Sequence, residues 1–403
     1  MNRHFWGAVA FTLTAFSCSS GSSSGSGTET NFGGSTNDAG EAGAEAGSDG
    51  SAGADGSAGA DASTCACSDA GSDAGAGLAA VVTRTDLITD TSNSNVVNAW
   101  GLAFNDTAGP AWIANNGTGT AIVVDGSNAL QLTVKLPTPA GEDNAAPTGI
   151  VFNKSATAFK SDAFVFVTEG GDVVGWQRSD GTDAVNRVQA SASGSSAVYK
   201  GATIAGASGR EHLYATDFHN GTIDMFDRDY QMVKLPAGAF SDPDMPAGYA
   251  PFNIDNIGNF LVVTYAKQDA DKHDDVKGAG NGFVDAYDQS GNFLGRLASN
   301  GPLNSPWGLA VTPDDYGAIP HRLLVGNFGD GTVNVYDVTL AQSGLRATFE
   351  GKLGDKNGNA LAIDGLWSLR YPTSPGFDKS QLYFTAGPGD EMHGTFGHLD
   401  LRK

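Results

Sequence analysis

The chain has 403 residues, enough for roughly two or three average domains or for one large all-β domain behind a tail. Its formal net charge is −22, with 23 Lys and Arg against 45 Asp and Glu, which excludes a nucleic-acid surface because phosphate binding needs clustered cations. No apolar run reaches the ~20 residues of a membrane-spanning helix, and the three cysteines, Cys18, Cys65 and Cys67, all precede the part that reads as folded, so no disulfide staples that part.

Residues 1–18 read MNRHFWGAVAFTLTAFSC. Arg3 supplies a positive start, Phe5 to Phe16 form a short apolar stretch, and the small residues Ala15 and Ser17 lead into Cys18. The pattern resembles a bacterial lipobox, whose cysteine is lipidated and becomes the mature N-terminus; Phe16 is bulkier than the usual residue there. An ordinary cleaved signal with an incidental cysteine is the competing reading. From Ser19 to Ala80 a linker of Gly, Ser, Ala, Asp and Glu follows, with no Lys or Arg. It cannot bury enough apolar area to offset ordering entropy, so disorder is expected, and its like charges favour extension. The G-x-S-x-G match at Gly21 to Gly25 lacks the strand and helix that the motif requires. Cys65 and Cys67 could pair, cross-link to another chain or stay free, with no catalytic role.

From Val81 to Lys403 short runs of Val, Ile, Phe, Tyr and Trp alternate with Gly, Asn and Asp, the texture of strands and turns. One unit recurs at intervals of roughly 50 residues. Its first half is Trp100-Gly-Leu-Ala-Phe, echoed from Thr148, Lys200, Phe252, Trp307 and Trp367. Its second half is a strand, a polar turn and a strand, as in AWIANNGTGTAIVVD from Ala111 and LLVGNFGDGTVNVYD from Leu323. The repeat predicts an all-β fold, a six-bladed β-propeller of four-stranded antiparallel blades, because a single sheet cannot bury both faces but a ring of sheets can. The extra strand Val81 to Ile88 is expected to form the outer edge of the last blade and close the ring.

The run from His212 to Asp227 resembles an NHL repeat. Over residues 81–401 the chain resembles a bacterial family of secreted six-bladed propellers of unassigned function and, more distantly, the six-bladed calcium lactonases. Members of the first family are often held at the surface by a C-terminal sorting signal; this chain ends Leu401-Arg402-Lys403, and Cys18 is expected to do that job.

Registering the repeats places two rings of side chains on one face. At the end of each second strand stand Asn115, Glu169, Asp217, Tyr265, Asn327 and Ala386. Asn115, Glu169, Asp217 and Asn327 offer oxygens that could hold Ca²⁺, which takes several such ligands; calcium lactonases use a comparable set of Glu, Asn and Asp. The competing reading is that Asn and Asp merely open their hairpin turns, a habit Glu169 does not share. The second ring is Trp100, Thr148, Lys200, Phe252, Trp307 and Trp367. Its aromatics could stack a sugar or apolar ligand, or could be packing wedges between blades. His219 and His393 fall in turns on this face, available as acid or base but beside no evident nucleophile. The charged insertion Gln268 to Asp275 reads as a solvated lid. No phosphate-binding glycine loop, zinc cysteine pair or H-E-x-x-H appears.

The reading is of a monomeric lipoprotein, exported and anchored to the bacterial cell envelope through lipid on Cys18, whose propeller binds a protein or glycan without catalysis. The alternatives are a calcium-dependent lactonase or esterase, and a purely structural surface protein.

Overall fold

β-Branched and aromatic runs punctuated by Gly, Asn and Asp fold almost entirely into strands. The computed structural model describes residues 77–106, 109–190, 196–341 and 344–401. The signal segment with Cys18 and the linker through residue 76 lie outside the described residues. The chain enters through β1 (Leu78–Thr89) and then makes one antiparallel meander after another. The first sheet is β2 (Ala99–Phe104), β3 (Ala111–Asn115), β4 (Thr120–Val124) and β5 (Leu130–Lys135). The second is β6 (Pro147–Phe152), β7 (Phe164–Thr168), β8 (Val173–Trp176) and β9 (Val185–Val188). β10 (Tyr199–Ala205), β11 (His212–Asp217) and β12 (Thr222–Phe226) follow. Next come β13 (Tyr249–Ile257), β14 (Phe260–Lys267), β15 (Phe283–Tyr287) and β16 (Phe293–Ser299). A final eight-stranded sheet contains β17 (Pro306–Val311), β18 (Arg322–Asn327), β19 (Val333–Ala341) and β20 (Gly344–Gly354), with β21 (Leu366–Arg370), β22 (Leu382–Ala386) and β23 (Thr395–Leu401), joined through β1.

The sheet of β10, β11 and β12 has three strands where the repeat predicted four. Beyond Phe226 the chain makes only a single bridge, to Met232. Pro236, Pro243 and Pro246 then deny the ladder its N–H donors. Val233, Leu235, Phe240 and Met245 pack as an irregular flap on the core instead.

The first strands of the meanders, β2, β6, β10, β13, β17 and β21, each lie against the next, and β21 lies against β2. This is the propeller arrangement. Apolar clusters fill the wedges between sheets, for example Trp112 with Phe164 and Trp176, and Phe104 with Tyr383 and Phe396 where the ring meets itself.

One local device recurs in every inner strand. The ladder to the second strand slips at Ala99/Leu102, Pro147/Ile150, Tyr199/Ala202, Pro251/Asn253, Pro306/Gly308 and Leu366/Leu369. These bulges turn the backbone toward the neighbouring inner strand. A Cβ on Gly101 would stand 2.3 Å from the Thr148 carbonyl, and one on Gly308 2.7 Å from that of Trp367. At the equivalent place Asn253 uses its side chain, donating from Nδ2 to the Trp307 carbonyl at 2.7 Å. The N–H groups freed at Gly201, Asn253 and Ser368 go to the hydroxyls of Thr216, Thr264 and Thr385 on the second strands.

β1 closes the ring and does more than the sequence predicted. It begins at Leu78, slightly before Val81, and pairs antiparallel with β23 from Val82↔Leu401 to Thr89↔Thr395. Its first residues also pair in parallel with β20, Leu78 with Lys352 and Val81 with Gly354. One strand thus covers the edges of two sheets.

Candidate functional site

At the entry ends of the inner strands the repeat position opened by Trp100 packs the axis. Trp100, Phe252, Trp307 and Trp367 are all 5% exposed or less. Trp367 is sandwiched between Trp100 (centroids 3.6 Å apart) and Phe328 (3.7 Å), both nearly parallel to it. Trp307 stands edge-on to Trp100 and Trp367 at 6.3 and 6.0 Å. The row is an aromatic plug, which corrects the reading of it as an open stacking platform: ring-on-ring contact consumes the faces a sugar would need.

The one cation in that ring lies at the plug's edge. Lys200, 1% exposed, has its Nζ 5.3 Å from the Trp100 ring centroid and 6.0 Å from that of Phe218. Its ammonium bonds the Glu169 carboxylate and, at 3.2 Å, Asp274 Oδ1. Glu169 follows β7, whereas Asp274 comes from the long connection between β14 and β15. Asn116 Nδ2 donates to the other Glu169 oxygen at 2.8 Å. His273 Nδ1 lies 3.0 Å from Asp274 Oδ1. On the other side Asn98 ties plug to surface: its Oδ1 accepts from Trp367 Nε1 at 2.8 Å and its Nδ2 donates to Glu391 Oε2 at 2.5 Å.

The charges follow from this geometry. Burial opposes the Lys200 ammonium, but the Glu169 and Asp274 carboxylates outweigh it and hold its pKa above the ordinary value. The His273 hydrogen bond, with help from Lys200, keeps Asp274 well below the usual carboxylate range, and Asp274 in return raises His273. Burial, reinforced by the Glu169 charge, pushes Glu391 up to about 7.

Ligand atoms of Glu169, His273 and Asp274 lie within 4.8 Å of one another, the only such trio of His, Cys, Asp or Glu among the described residues. It does not fit Ca²⁺. The Lys200 ammonium already bridges the two carboxylates where a cation would sit, and one imidazole beside two carboxylates falls short of the roughly six to eight oxygens that Ca²⁺ takes.

Of the four predicted calcium ligands only Glu169 joins this cluster. Asn115 donates to the Ile113 carbonyl at 3.3 Å. Asp217 accepts from the Asn220 backbone at 3.1 Å and its side chain at 2.7 Å. Asn327 accepts from the Asn304 N–H at 3.1 Å and donates to the Pro302 carbonyl at 2.8 Å. Asp217 and Asn327 hold turns; the Asn115 side chain bonds only within its own strand, and its Oδ1 is buried without a hydrogen-bond partner among the described residues. His393 is exposed and pairs with Asp90 at 2.8 Å, while His219 takes part through its carbonyl, which accepts from Gln268. The insertion from Gln268 was expected to be merely solvated; its Asp274 instead reaches the buried Lys200, a correction that only ring closure could make.

No protein-family model matches the chain. It is 30% identical over 335 residues to the uncharacterized protein R648 of Acanthamoeba polyphaga mimivirus, covering 79% of this chain and 78% of that one. The chain belongs to the R648 family. Protein L690 of the same virus is 28% identical over 336 residues, covering 79% of this chain and 84% of its own length. The matched relatives named here are viral. Among solved structures, the calcium-binding protein regucalcin of Agrobacterium tumefaciens aligns over 79% of this chain and 95% of its own with 12% identity and a TM-score of 0.46, too distant to bear on function.

Sequence reasoning missed Asn98, Asn116, His273, Asp274 and Glu391 as members of the cluster. One signal was present: Lys200 is the only charged residue at a repeat position otherwise held by Trp, Phe or Thr.

Proposed function

We propose that this chain is a lipoprotein of the bacterial cell envelope, anchored through Cys18, whose single six-bladed propeller is a monomeric, non-catalytic binding module for a protein or glycan. The anchor rests on Arg3, the apolar stretch before Ala15 and Ser17, and the tether after Cys18. Six blades rest on six inner strands in cyclic contact. The observation that carries the binding reading is the state of the Lys200 cluster. Its buried ammonium is neutralised by two carboxylates, and among the described residues no serine or cysteine nucleophile takes part in its hydrogen bonds. The groups at its rim, His273 and Asp274, keep side-chain exposures of 46% and 66% over a rigid aromatic base. Such a surface suits recognition rather than turnover.

Two measurements test it. Cys18→Ser should move the protein from the membrane fraction to soluble or unprocessed forms; unchanged fractionation, with no lipid mass on the mature N-terminus, would remove the anchor. Labelled full-length protein should stain bacterial cells, and Asp274→Ala should weaken the staining. Calcium-dependent lactone hydrolysis abolished by Glu169→Gln would replace this reading with that of a lactonase.

A further inference from the structure

The opposite end of the inner strands carries a second site, independent of the Lys200 cluster. There β2, β6, β10, β13 and β21 finish around a recess of about 580 Å³, inside the roughly 300–1,000 Å³ range of small-molecule sites. Arg370 at the end of β21 reaches past β17 to Asp255 of β13, Nη2 to Oδ2 at 3.1 Å. Thr203 of β10 donates to the other Asp255 oxygen at 3.4 Å. On the neighbouring wall Lys154 pairs with Asp106, and Glu211 pairs with Arg228 at 3.1 Å. Phe104, Phe152 and Tyr371 add ring carbon to the lining.

We propose that this recess binds a neutral carbohydrate. Each fixed charge named on its wall is already met by its opposite. A charged guest would give up its hydration to a wall whose charges already balance, Arg370 with Asp255 and Lys154 with Asp106, so no excess of opposite charge repays it. An apolar guest would cover the Arg370–Asp255 pair without replacing its contact with water, which is unfavourable. A polyhydroxyl guest avoids both costs. Its hydroxyls donate to Asp255 and accept from the guanidinium while the pair stays intact, since charge-assisted bonds of this kind are strong. Its C–H faces rest on the aromatic rings.

Saturation-transfer NMR of the full-length chain tests the assignment, with maltose, cellobiose and diacetylchitobiose as neutral probes and galacturonic acid and glucosamine as charged ones. At least one neutral disaccharide should receive saturation and the charged sugars little. Asp255→Asn and Arg370→Met should each weaken binding about tenfold or more. Ser208 is an exposed residue of the lining, so Ser208→Trp should keep the wild-type melting temperature while abolishing the signal. Asp274→Ala, at the other end, should leave it unchanged. Absence of saturation in every neutral sugar, equal binding of charged ones, or undiminished binding to Ser208→Trp would each overturn the proposal.

Discussion

The two ends of the inner strands are built from one repeat and differ in what fills the axis. At the entry end the repeat position carries Trp100, Phe252, Trp307 and Trp367, which pack with Phe218 and Phe328 into one aromatic cluster, with Lys200 buried against it between two carboxylates. At the exit end the inner strands finish on a mixed lining, small at Ala103 and Ala202, polar at Thr203 and Asp255, and a recess of about 580 Å³ remains open. Both ends hold an ion pair that links separate strands or connections, yet the Lys200 side chain is 1% exposed and the Arg370 side chain 40%. The lesson is that a ring of sheets does not dictate whether its axis is sealed; residue size at one position per repeat does.

Four experiments break or sharpen that contrast. The largest effect is expected of Trp367→Ala at the sealed end, because the indole is stacked on both faces; loss of about 3–5 kcal/mol should appear in denaturant melts, and a wild-type midpoint would mean the plug is not core. Next is the pH response of Glu391. The folded chain keeps this proton up to about pH 7, whereas an unfolded one releases it near the ordinary 4.5. Between those values the folded state binds more protons, so the stability it draws from this group is lost as pH rises from about 4.5 to about 7. Glu391→Gln should therefore gain on the wild type across that window, by up to about 3 kcal/mol; parallel pH–stability curves would refute the burial argument. At the hollow end Arg370→Met breaks a pair that water already screens, and its melt should move by less than about 1 kcal/mol. The smallest effect is expected of EDTA, which should leave the melting temperature where it was; a clear fall would mean that a metal displaces Lys200 from Glu169 and Asp274.

Much of this architecture was legible in the residues. The alternating runs and their spacing located the inner strands; the bulges at Gly101, Gly149, Gly201 and Gly308, where backbones nearly touch, were not legible there. The strand before Trp100 was recognisable as the closing piece because it had no unit of its own. The missing fourth strand after Phe226 was foretold by Pro236, Pro243 and Pro246, whose lack of N–H was overlooked. What could not be read was contact across the ring. Lys200 meets Asp274 because the sheet of β10 lies beside the connection from β14 to β15, and Asn98 meets Glu391 only because the last sheet lies beside the first. Burial of the indoles was undecided for the same reason: periodicity places side chains on the axis but does not say how wide the axis is.

The pairing of β1 bears on when the molecule becomes itself. Its antiparallel partner β23 is the last strand of the described chain, so the ladder that closes the ring joins the first and last strands among the described residues. Contacts of that kind form late, after the loop entropy of everything between has been met. Until then β23 and β20 present open edges to any other chain in the same condition. A nascent molecule thus spends its most vulnerable interval waiting for its own beginning to return, and a second copy's β1 could fill the vacancy first. Crowding of newly made chains would then produce linked rings by strand exchange, each complete and each wearing another's first strand.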